Sequence, residues 1–363
     1  MKPPPSLQEI AEAARVSRST ASRALRNSAL ISEKTRTHVR AVADELGYRS
    51  DPLVSTLMAR LREGRPRGEQ PIIGYVTSHP PEQNWRQTAY FRRLFEGAEQ
   101  RARQLGFRLQ EFSLPAVGNP MRLAEILRTR NVNGLIFGPM PTPGTRLTFP
   151  WSEFAVAALG TTLEQPGLHR VRGNYFQVMT LTCTRLRERG YRRLGFVARE
   201  HMDRRGSRRW RAAFLLDQDL HGGIEPDAMK LVPGGELNRD VVEAWIRRYR
   251  PDAIITSRNA IYDWITDMGF SVPDDIALAY TGLGAQESFL SGVDQRLEAV
   301  GAHAVNLVVE QFHHNERGLH PDPKTVVLDG VWIDGKTAPR RSGNRKTTRT
   351  GPRNPGAKLS VPE

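Results

Sequence analysis

Three short stretches near the start of the chain place apolar side chains at helical spacing. Ser6 begins the first helix as part of a capping box, and this helix ends near Arg15. Ser17 caps a second helix of sequence SRSTASRAL, and Ser32 caps a third that ends at Gly47. The apolar faces of the three helices consist of Leu7, Ile10, Ala11 and Ala14, then Ala21, Ala24 and Leu25, then Val39, Val42, Ala43 and Leu46. Short helices joined by a tight turn and closed by a third predict a helix-turn-helix unit.

Beyond residue 70 the pattern changes to short apolar runs that alternate with amphipathic stretches. The predicted strands are PIIGYV, FRLQEFSL, GLIFGP, FAVAALG, RLGFVAR, DAIITS and DIALAY. The predicted helices include YFRRLFEGAEQRARQLG, MRLAEILRTRN, YFQVMTLTCTRLRERG and RWRAAFLLDQ. This alternation predicts an α/β core of two doubly wound parallel-sheet lobes. We expect one lobe over roughly residues 70–160 plus a segment near 291–320, and the other over roughly 162–290.

Composition adds a partner and a compartment to this picture. A net charge of +14 over 363 residues favours a polyanionic partner, because Lys and Arg that neutralise phosphates release condensed counterions. Cys183 is the single cysteine, which excludes an intrachain disulfide; we expect it to be a small buried side chain, with a reactive thiol as the alternative. No secretory signal opens the chain, and no apolar run reaches the roughly 20 residues that span a bilayer. We therefore expect a cytoplasmic protein.

The stretch SRSTASRAL carries the candidate DNA chemistry. In a helix-turn-helix unit the second helix enters the major groove with its N-terminal residues toward the base edges. The residues expected at bases are Arg18, Ser19, Ser22 and Arg23, and those expected at phosphates are Ser17, Thr20 and Arg26, with Ser32 at the start of the third helix also assigned to the DNA-binding surface. An arginine can donate to O6 and N7 of guanine together, which discriminates by roughly 1–3 kcal/mol. The alternative is a solvated basic helix on a small bundle.

The segment LQEIAEAARVSRSTASRALRNSALISEKTRTHVRAVADELGYRSDPLVSTLMARL resembles the DNA-binding headpiece of the LacI/GalR (lactose-repressor) family, including its VS, SR, TR and LGY landmarks. The resemblance implies that Arg18 and Ser19 are the variable base-reading pair and that Arg23 is the recurrent helix arginine. It also implies that DPLVSTLMAR becomes a hinge helix on operator DNA. There Leu57 would wedge open a base step, and Val54 would lie on the face where two hinges touch.

Two positions depart from the headpiece pattern of that family. Arg15 occupies a turn position that is usually glycine, so a residue with a Cβ has to adopt a left-handed conformation at a cost of about 1 kcal/mol. Ser50 stands where proline is common and Pro52 follows two residues later, which shifts the start of the hinge helix. For residues 51–62 the alternative is a linker helix that is folded with or without DNA.

RERGYRRLGFVA, RPDAIITS, VPDDIALAY and DQRLEAVGAHAVNLVVEQ resemble segments of the two-lobed sugar-binding core of the same family, a core also seen in periplasmic binding proteins. Ligands of such folds bind at the carboxyl ends of the strands. The effector-binding candidates are Ser78, Tyr90, Phe91, Asn174, Arg209 and Asn259, each of which is alternatively an ordinary surface or packing residue. Ala260 stands where the family has an acidic residue, and Thr281-Gly282 replaces an Asp-Asp pair. These changes weaken the usual grip on sugar hydroxyls, so repression without a ligand is an alternative.

The remaining sequence adds no chemistry of its own. The nine histidines lack metal-ligand spacing and no catalytic or nucleotide-binding motif occurs, so we expect no enzyme activity, no metal and no cofactor. The predicted domains are a headpiece at 1–50, a hinge helix and linker at 51–69, an effector-binding and dimerisation core at 70–337 and a basic tail at 338–363. The tail is expected to be disordered, and either adds non-specific DNA affinity or has no role.

These expectations combine into one functional prediction. We expect a homodimeric transcriptional regulator, a repressor by the resemblance, that binds double-stranded DNA at a pseudo-palindromic operator. A small-molecule effector, for example a carbohydrate, is expected to modulate it. The alternatives are a soluble sugar-binding module without DNA regulation and an enzyme built on the α/β core. No sequence motif supports the enzyme.

Overall fold

The computed structural model describes residues 5–25, 30–48, 70–80, 82, 84–232, 237–257, 260–284 and 289–341. The chain divides into two compact units, with crossings after Arg172, Leu297 and Val326. The first unit holds the N-terminal helices and a first lobe, and the second unit holds a second lobe. The first two crossings lie several residues later than the sequence pattern suggested, and a third crossing follows residue 326.

The helices are, in chain order, α1 (Leu7–Ala13), α2 (Arg18–Leu25), α3 (Glu33–Glu45), α4 (Ala89–Gln104), α5 (Leu114–Val117), α6 (Pro120–Thr129), α7 (Tyr175–Glu188), α8 (Glu200–Arg205), α9 (Arg209–Leu220), α10 (Arg239–Tyr249), α11 (Ala260–Asp267) and α12 (Leu297–His313). The strands are β1 (Ile72–Thr77), β2 (Arg108–Ser113), β3 (Gly134–Phe137), β4 (Thr145–Arg146), β5 (Ala155–Leu159), β6 (Leu163–Gln165), β7 (Arg170–Gly173), β8 (Leu194–Arg199), β9 (Met229–Val232), β10 (Ala253–Thr256), β11 (Ala277–Leu283), β12 (Ser291–Asp294), β13 (Thr325–Leu328) and β14 (Val331–Ile333). Short 3-10 turns lie at Trp85–Gln87 and Trp151–Glu153.

The N-terminal helices form as their capping residues predict. Ser6 and Glu9 make the reciprocal capping box of α1, with the Ser6 amide donating to the Glu9 carboxylate at 2.6 Å. Their common core contains Leu7, Ile10, Ala11, Ala14, Ala21, Ala24, Val39 and Ala43, with Leu25 and Val42 packed against it. The placement of Leu46 on this apolar face is wrong, because Leu46, the C-cap residue of α3, is 43% exposed. Tyr48 packs against the core instead.

Two sheets carry the two lobes. The first has the strand order β13-β7-β5-β3-β1-β2, and the pairs β2/β1, β1/β3, β3/β5 and β5/β7 are parallel. The second has the order β14-β12-β11-β10-β8-β9, with parallel pairing from β9 to β12 and an antiparallel β14. The predicted class of two parallel-sheet α/β lobes behind a helical headpiece is confirmed.

Burial explains which strands the hydrophobic pattern could find. All the predicted strands exist, and β3, β5 and β10 are buried along their whole length. The strands that the pattern missed are β4, β6, β7, β9, β12, β13 and β14. Most of these are exposed or half-buried at several positions, as β9 is throughout, so no continuous apolar run marks them. Cys183 is fully buried on α7 in the core of the second lobe, as expected, and burial raises the pKa of its thiol.

The turn between α1 and α2 stores backbone strain at one residue. Arg15 has a φ of 52°, the left-handed conformation that the sequence predicted there. We expect Arg15→Gly to stabilise the headpiece by about 0.5–1 kcal/mol, because glycine removes the Cβ clash but loses more chain entropy on folding. Hydrogen exchange of the α1 and α2 amides in the full chain measures this. Arg40→Gly, at an exposed position inside α3, is the matched control and should destabilise by about 1 kcal/mol. If both variants lose stability, the Arg15 turn carries no strain.

Candidate nucleic-acid interface and effector residues

Ser17 fixes the start of α2. Its hydroxyl accepts the Thr20 amide at 3.1 Å and lies 2.9 Å from the Ser19 hydroxyl and 2.8 Å from that of Thr20. This is the N-cap role that the sequence predicted for Ser17. The three hydroxyls therefore form one cluster at the N-terminus of the helix, where the partial positive charge of the helix end also favours an anion such as a phosphate.

The polar face of α2 divides into an open part and an occupied part. Ser17, Ser19 and Arg23 are exposed, and Thr20 is half-buried. Arg18 and Ser22 instead contact the chain just beyond α12, and Ser22 is only 7% exposed. Ser19 and Arg23 thus share one accessible stripe of the helix, one turn apart, and Arg18 and Ser22 share a covered one.

The other residues assigned to DNA fall outside α2. The Ser32 hydroxyl caps α3, where it accepts the Thr35 amide at 3.2 Å and lies 2.8 Å from the Thr35 hydroxyl. Ser32 is exposed, so its hydroxyl remains open to a second partner. Arg26, Val54 and Leu57 lie outside the described residues, and with them the predicted hinge helix.

Three effector candidates gather at the carboxyl ends of strands in the first unit. Ser78 follows β1, and its buried hydroxyl makes no hydrogen bond to the residues that the structure describes. Tyr90 and Phe91 open α4 in edge-to-face contact, with ring centroids 5.2 Å apart, and the His79 ring lies 4.4 Å from Phe91. A Cβ added at Gly160, after β5, would lie 4.0 Å from the Tyr90 hydroxyl. Aromatic faces and hydroxyls therefore meet where a polar small molecule can bind.

The second unit has a cavity that the sequence did not locate. It encloses about 220 Å³ at the carboxyl ends of β8 and β10 and is lined by Ala198, Arg199, Met202, Leu237 and Ser257. Arg199 and Ser257 supply its polar groups. Each stands at or just after the end of a predicted strand, RLGFVAR and DAIITS, so the strand-end rule that selected Asn174 and Arg209 could also have selected them.

The candidates that the sequence named in this unit have other contacts. Asn174 caps α7 and its amide donates to the Asp329 carboxylate at 2.7 Å. Arg209 is half-buried at the start of α9, where it donates to the Gly206 carbonyl at 3.5 Å. Asn259 lies outside the described residues, and Ala260 begins α11. In β11, Thr281 is fully buried, so its side chain supports the strand and does not stand in for a ligand-binding carboxylate.

Charged groups beside this cavity are perturbed by burial. Asp203 on α8 is 1% exposed, and burial raises the pKa of its carboxyl, which accepts the Arg211 amide at 3.3 Å. Burial, followed by Arg199, Arg205 and Arg204, lowers the pKa of His201. Within the described ranges, no group of three or more His, Cys, Asp or Glu side chains is arranged to hold a metal ion. In that same part of the chain, no helix is long and apolar enough to cross a bilayer.

Comparisons with known proteins agree with this arrangement. The model for bacterial regulatory proteins of the lacI family matches residues 6–51, and that for the periplasmic binding protein-like domain matches residues 183–337. Residues 6–51 thus match the DNA-binding domain of the lacI family, and residues 183–337 match a periplasmic binding protein-like domain. The first match covers α1, α2 and α3, and the second covers most of the second lobe together with the segment that returns through α12. No curated protein sequence matches this chain.

Solved structures share the fold of this chain at low identity. The transcriptional regulator CelR in complex with cellobiose has a TM-score of 0.55 at 19% identity, covering 92% of this chain and 99% of that one. The lac repressor dimer bound to operator and the anti-inducer ONPF has a TM-score of 0.53 at 19% identity, covering 93% and 99%. A lacI-family regulator from Rhizobium etli has a TM-score of 0.61 at 14% identity, covering 75% and 100%. At these identities the likeness establishes the fold.

Proposed function

We propose that the chain is a repressor that binds a pseudo-palindromic operator as a homodimer, with α2 in the major groove. The observation that carries this proposal is the Ser17-capped helix α2, whose Ser19 and Arg23 side chains lie exposed one turn apart. That spacing presents a guanidinium and a hydroxyl to adjacent base edges. Two-fold symmetry would place two such helices about 34 Å apart, one turn of DNA. The lac repressor dimer bound to operator, which shares this fold, supports the same assembly here.

A small-molecule effector completes the proposal. Ser78, Tyr90 and Phe91 offer a buried hydroxyl and two rings in the first unit, and Arg199 and Ser257 offer polar groups at the cavity in the second. Rings and hydroxyls at strand ends suit a carbohydrate, the class of ligand named for CelR. We further propose that the chain acts in the cytoplasm, where its DNA target lies, and that it regulates without catalysing a reaction.

Selection from a random DNA library at several salt concentrations tests the operator proposal. We expect an inverted repeat to be enriched, and its affinity to fall steeply with salt because phosphate contacts release counterions. Arg23→Ala should lower affinity for the enriched repeat, whereas Arg122→Ala, which removes the same charge from an exposed position on α6, should leave it nearly unchanged. Failure to enrich any inverted repeat across the salt series would contradict operator binding.

A further inference from the structure

The headpiece makes direct contacts with the chain that follows α12. The Leu7 amide donates to the His314 carbonyl at 3.1 Å, and the Asn315 side chain donates to the Pro5 carbonyl at 3.4 Å. Tyr48, at the far end of the headpiece, donates to the His313 carbonyl at 3.4 Å. These contacts involve both ends of the three-helix unit, so they hold the headpiece in one orientation.

Arg18 forms the centre of this contact. Its Nη2 donates to the Glu316 carboxylate at 2.5 Å and lies 3.2 Å from Nδ1 of His314, and its Nη1 lies 3.4 Å from Nε2 of His320. Only 19% of the Arg18 side chain and 8% of the Glu316 side chain are exposed. The guanidinium group that would donate to guanine instead contacts one carboxylate and two imidazoles.

Ser22, one turn further along α2, contacts the same imidazole. Its hydroxyl lies 3.3 Å from Nε2 of His314. Because Arg18 can only donate, Nδ1 of His314 has to accept, and a neutral ring then carries its proton on Nε2 and donates it to Ser22. His314 therefore satisfies Arg18 and Ser22 together, in the way that a base edge presents an acceptor beside a donor.

We propose that residues 313–320 are a docking site for the covered stripe of α2, which consists of Arg18 and Ser22. The docked chain is then an autoinhibited form in which these two residues cannot contact DNA. This inference rests on the proposed operator binding. DNA and residues 313–320 compete for the same atoms of Arg18 and Ser22, so operator binding requires the headpiece to leave this site. The apparent operator affinity is then the intrinsic affinity multiplied by the undocked fraction.

The chemistry of Glu316 makes the docked state reversible. Burial raises the pKa of its carboxyl to about 7, and Arg18 acts in the opposite direction. Oε1 of Glu316 is buried and makes no hydrogen bond to the described residues, so the carboxylate is only half satisfied. Release of the headpiece returns this carboxylate to water, and DNA supplies Arg18 with replacement acceptors. The nearby His169 is 5% exposed and burial lowers its pKa to about 4, so it adds no cation to the site at neutral pH.

Two substitutions of equal charge separate docking from general electrostatics. Glu316→Gln removes the carboxylate that pairs with Arg18, whereas Glu310→Gln removes one that pairs with Lys324 at 2.6 Å. At pH 8.5, where both carboxyls are ionised, each substitution raises the net charge by about one and so strengthens phosphate attraction alike. We expect Glu316→Gln to increase affinity for the selected operator about tenfold more than Glu310→Gln does, since only the first substitution removes a charge-assisted hydrogen bond between the headpiece and residues 313–320. Equal gains in the two variants would overturn the inference.

A distance measurement tests docking without DNA. Lys34→Cys on α3 and Glu125→Cys on α6 place spin labels on exposed positions of the headpiece and the first lobe, and the fully buried Cys183 should remain unlabelled. With labelled chains diluted in unlabelled protein, we expect one narrow distance that broadens in Glu316→Gln and is lost on operator binding. A broad distribution in the otherwise unchanged chain refutes docking even if an operator is bound. Conversely, a narrow distance in a chain that enriches no inverted repeat refutes the proposed function and leaves docking standing.

Discussion

Gly97→Ala is expected to destabilise the first unit by about 2–3 kcal/mol, although alanine is the better helix former. Gly97 on α4 faces the first turn of α12, where an added Cβ would lie 2.0 Å from the Glu298 carbonyl oxygen. The reciprocal contact is as close, since a Cβ at Gly301 would lie 2.0 Å from the Leu94 carbonyl oxygen. Because both obstacles are backbone atoms, no side-chain rotation relieves the clash.

The same contact between α4 and α12 includes an ion pair between a buried arginine and a half-exposed glutamate, which would move with the helices. Arg93 is 9% exposed and donates from Nε and Nη2 to the two carboxylate oxygens of Glu298, at 2.6 and 2.8 Å. Separating α4 from α12 to admit a methyl group would stretch this bidentate pair, and a buried charge that loses its partner is costly. The expected loss of stability in Gly97→Ala is therefore larger than the steric cost of the added methyl group alone.

Hydrogen exchange of the α4 and α12 amides in the native chain measures the Gly97→Ala effect locally, which avoids assuming that two lobes unfold in one step. Gln100→Ala, at an exposed position of the same helix, is the matched control and should change stability by less than about 0.5 kcal/mol. Equal protection of these amides from exchange in the two variants would mean that α4 and α12 can separate at little energetic cost. The close contact between the two helices would then contribute nothing to stability.

The sequence predicted those features of the structure that depend on residues close together in the chain. Ser6, Ser17 and Ser32 cap their helices through bonds to residues three positions away, so local pattern was sufficient to place them. The buried strands could also be predicted, because β3, β5 and β10 are continuous apolar runs. Leu46 was misplaced because it keeps the helical spacing but stays exposed, while Tyr48, beyond the helix, packs against the core; helical spacing does not show which end residues the tertiary structure covers.

The functional surfaces depend on contacts that no local pattern encodes. Arg18 and Glu316 are separated by 298 positions, and nothing in SRSTASRAL indicates that its first arginine meets a carboxylate of its own chain. The Arg199 and Ser257 side chains meet at one cavity only because β8 and β10 are neighbours in the sheet, a pairing that the order of strands along the chain does not specify. Gly97 carried a weak signal, since a glycine inside a helical pattern often marks a close approach.

Arg23→Ala is expected to lower operator affinity roughly tenfold to a hundredfold, because an exposed arginine on the accessible stripe of α2 can make a full bidentate base contact. Arg18→Ala is expected to cost less in the otherwise unchanged chain. Its removal loses a base contact, but it also breaks the pair with Glu316 and so releases the headpiece. The two consequences oppose each other in the measured affinity.

Placing Arg18→Ala in the Glu316→Gln background separates its two consequences. With docking already weakened, only the base contact remains to be lost, so we expect the fall in operator affinity to be about tenfold larger than in the unchanged chain. In the Glu310→Gln background, which keeps the Arg18 pair, the fall should match that of the unchanged chain. Titrations of the four Arg18 and Glu316 combinations on one operator at fixed salt give the coupling. Identical losses in all backgrounds would mean that Arg18 contacts DNA and Glu316 independently, because two sites that compete for one guanidinium cannot be additive.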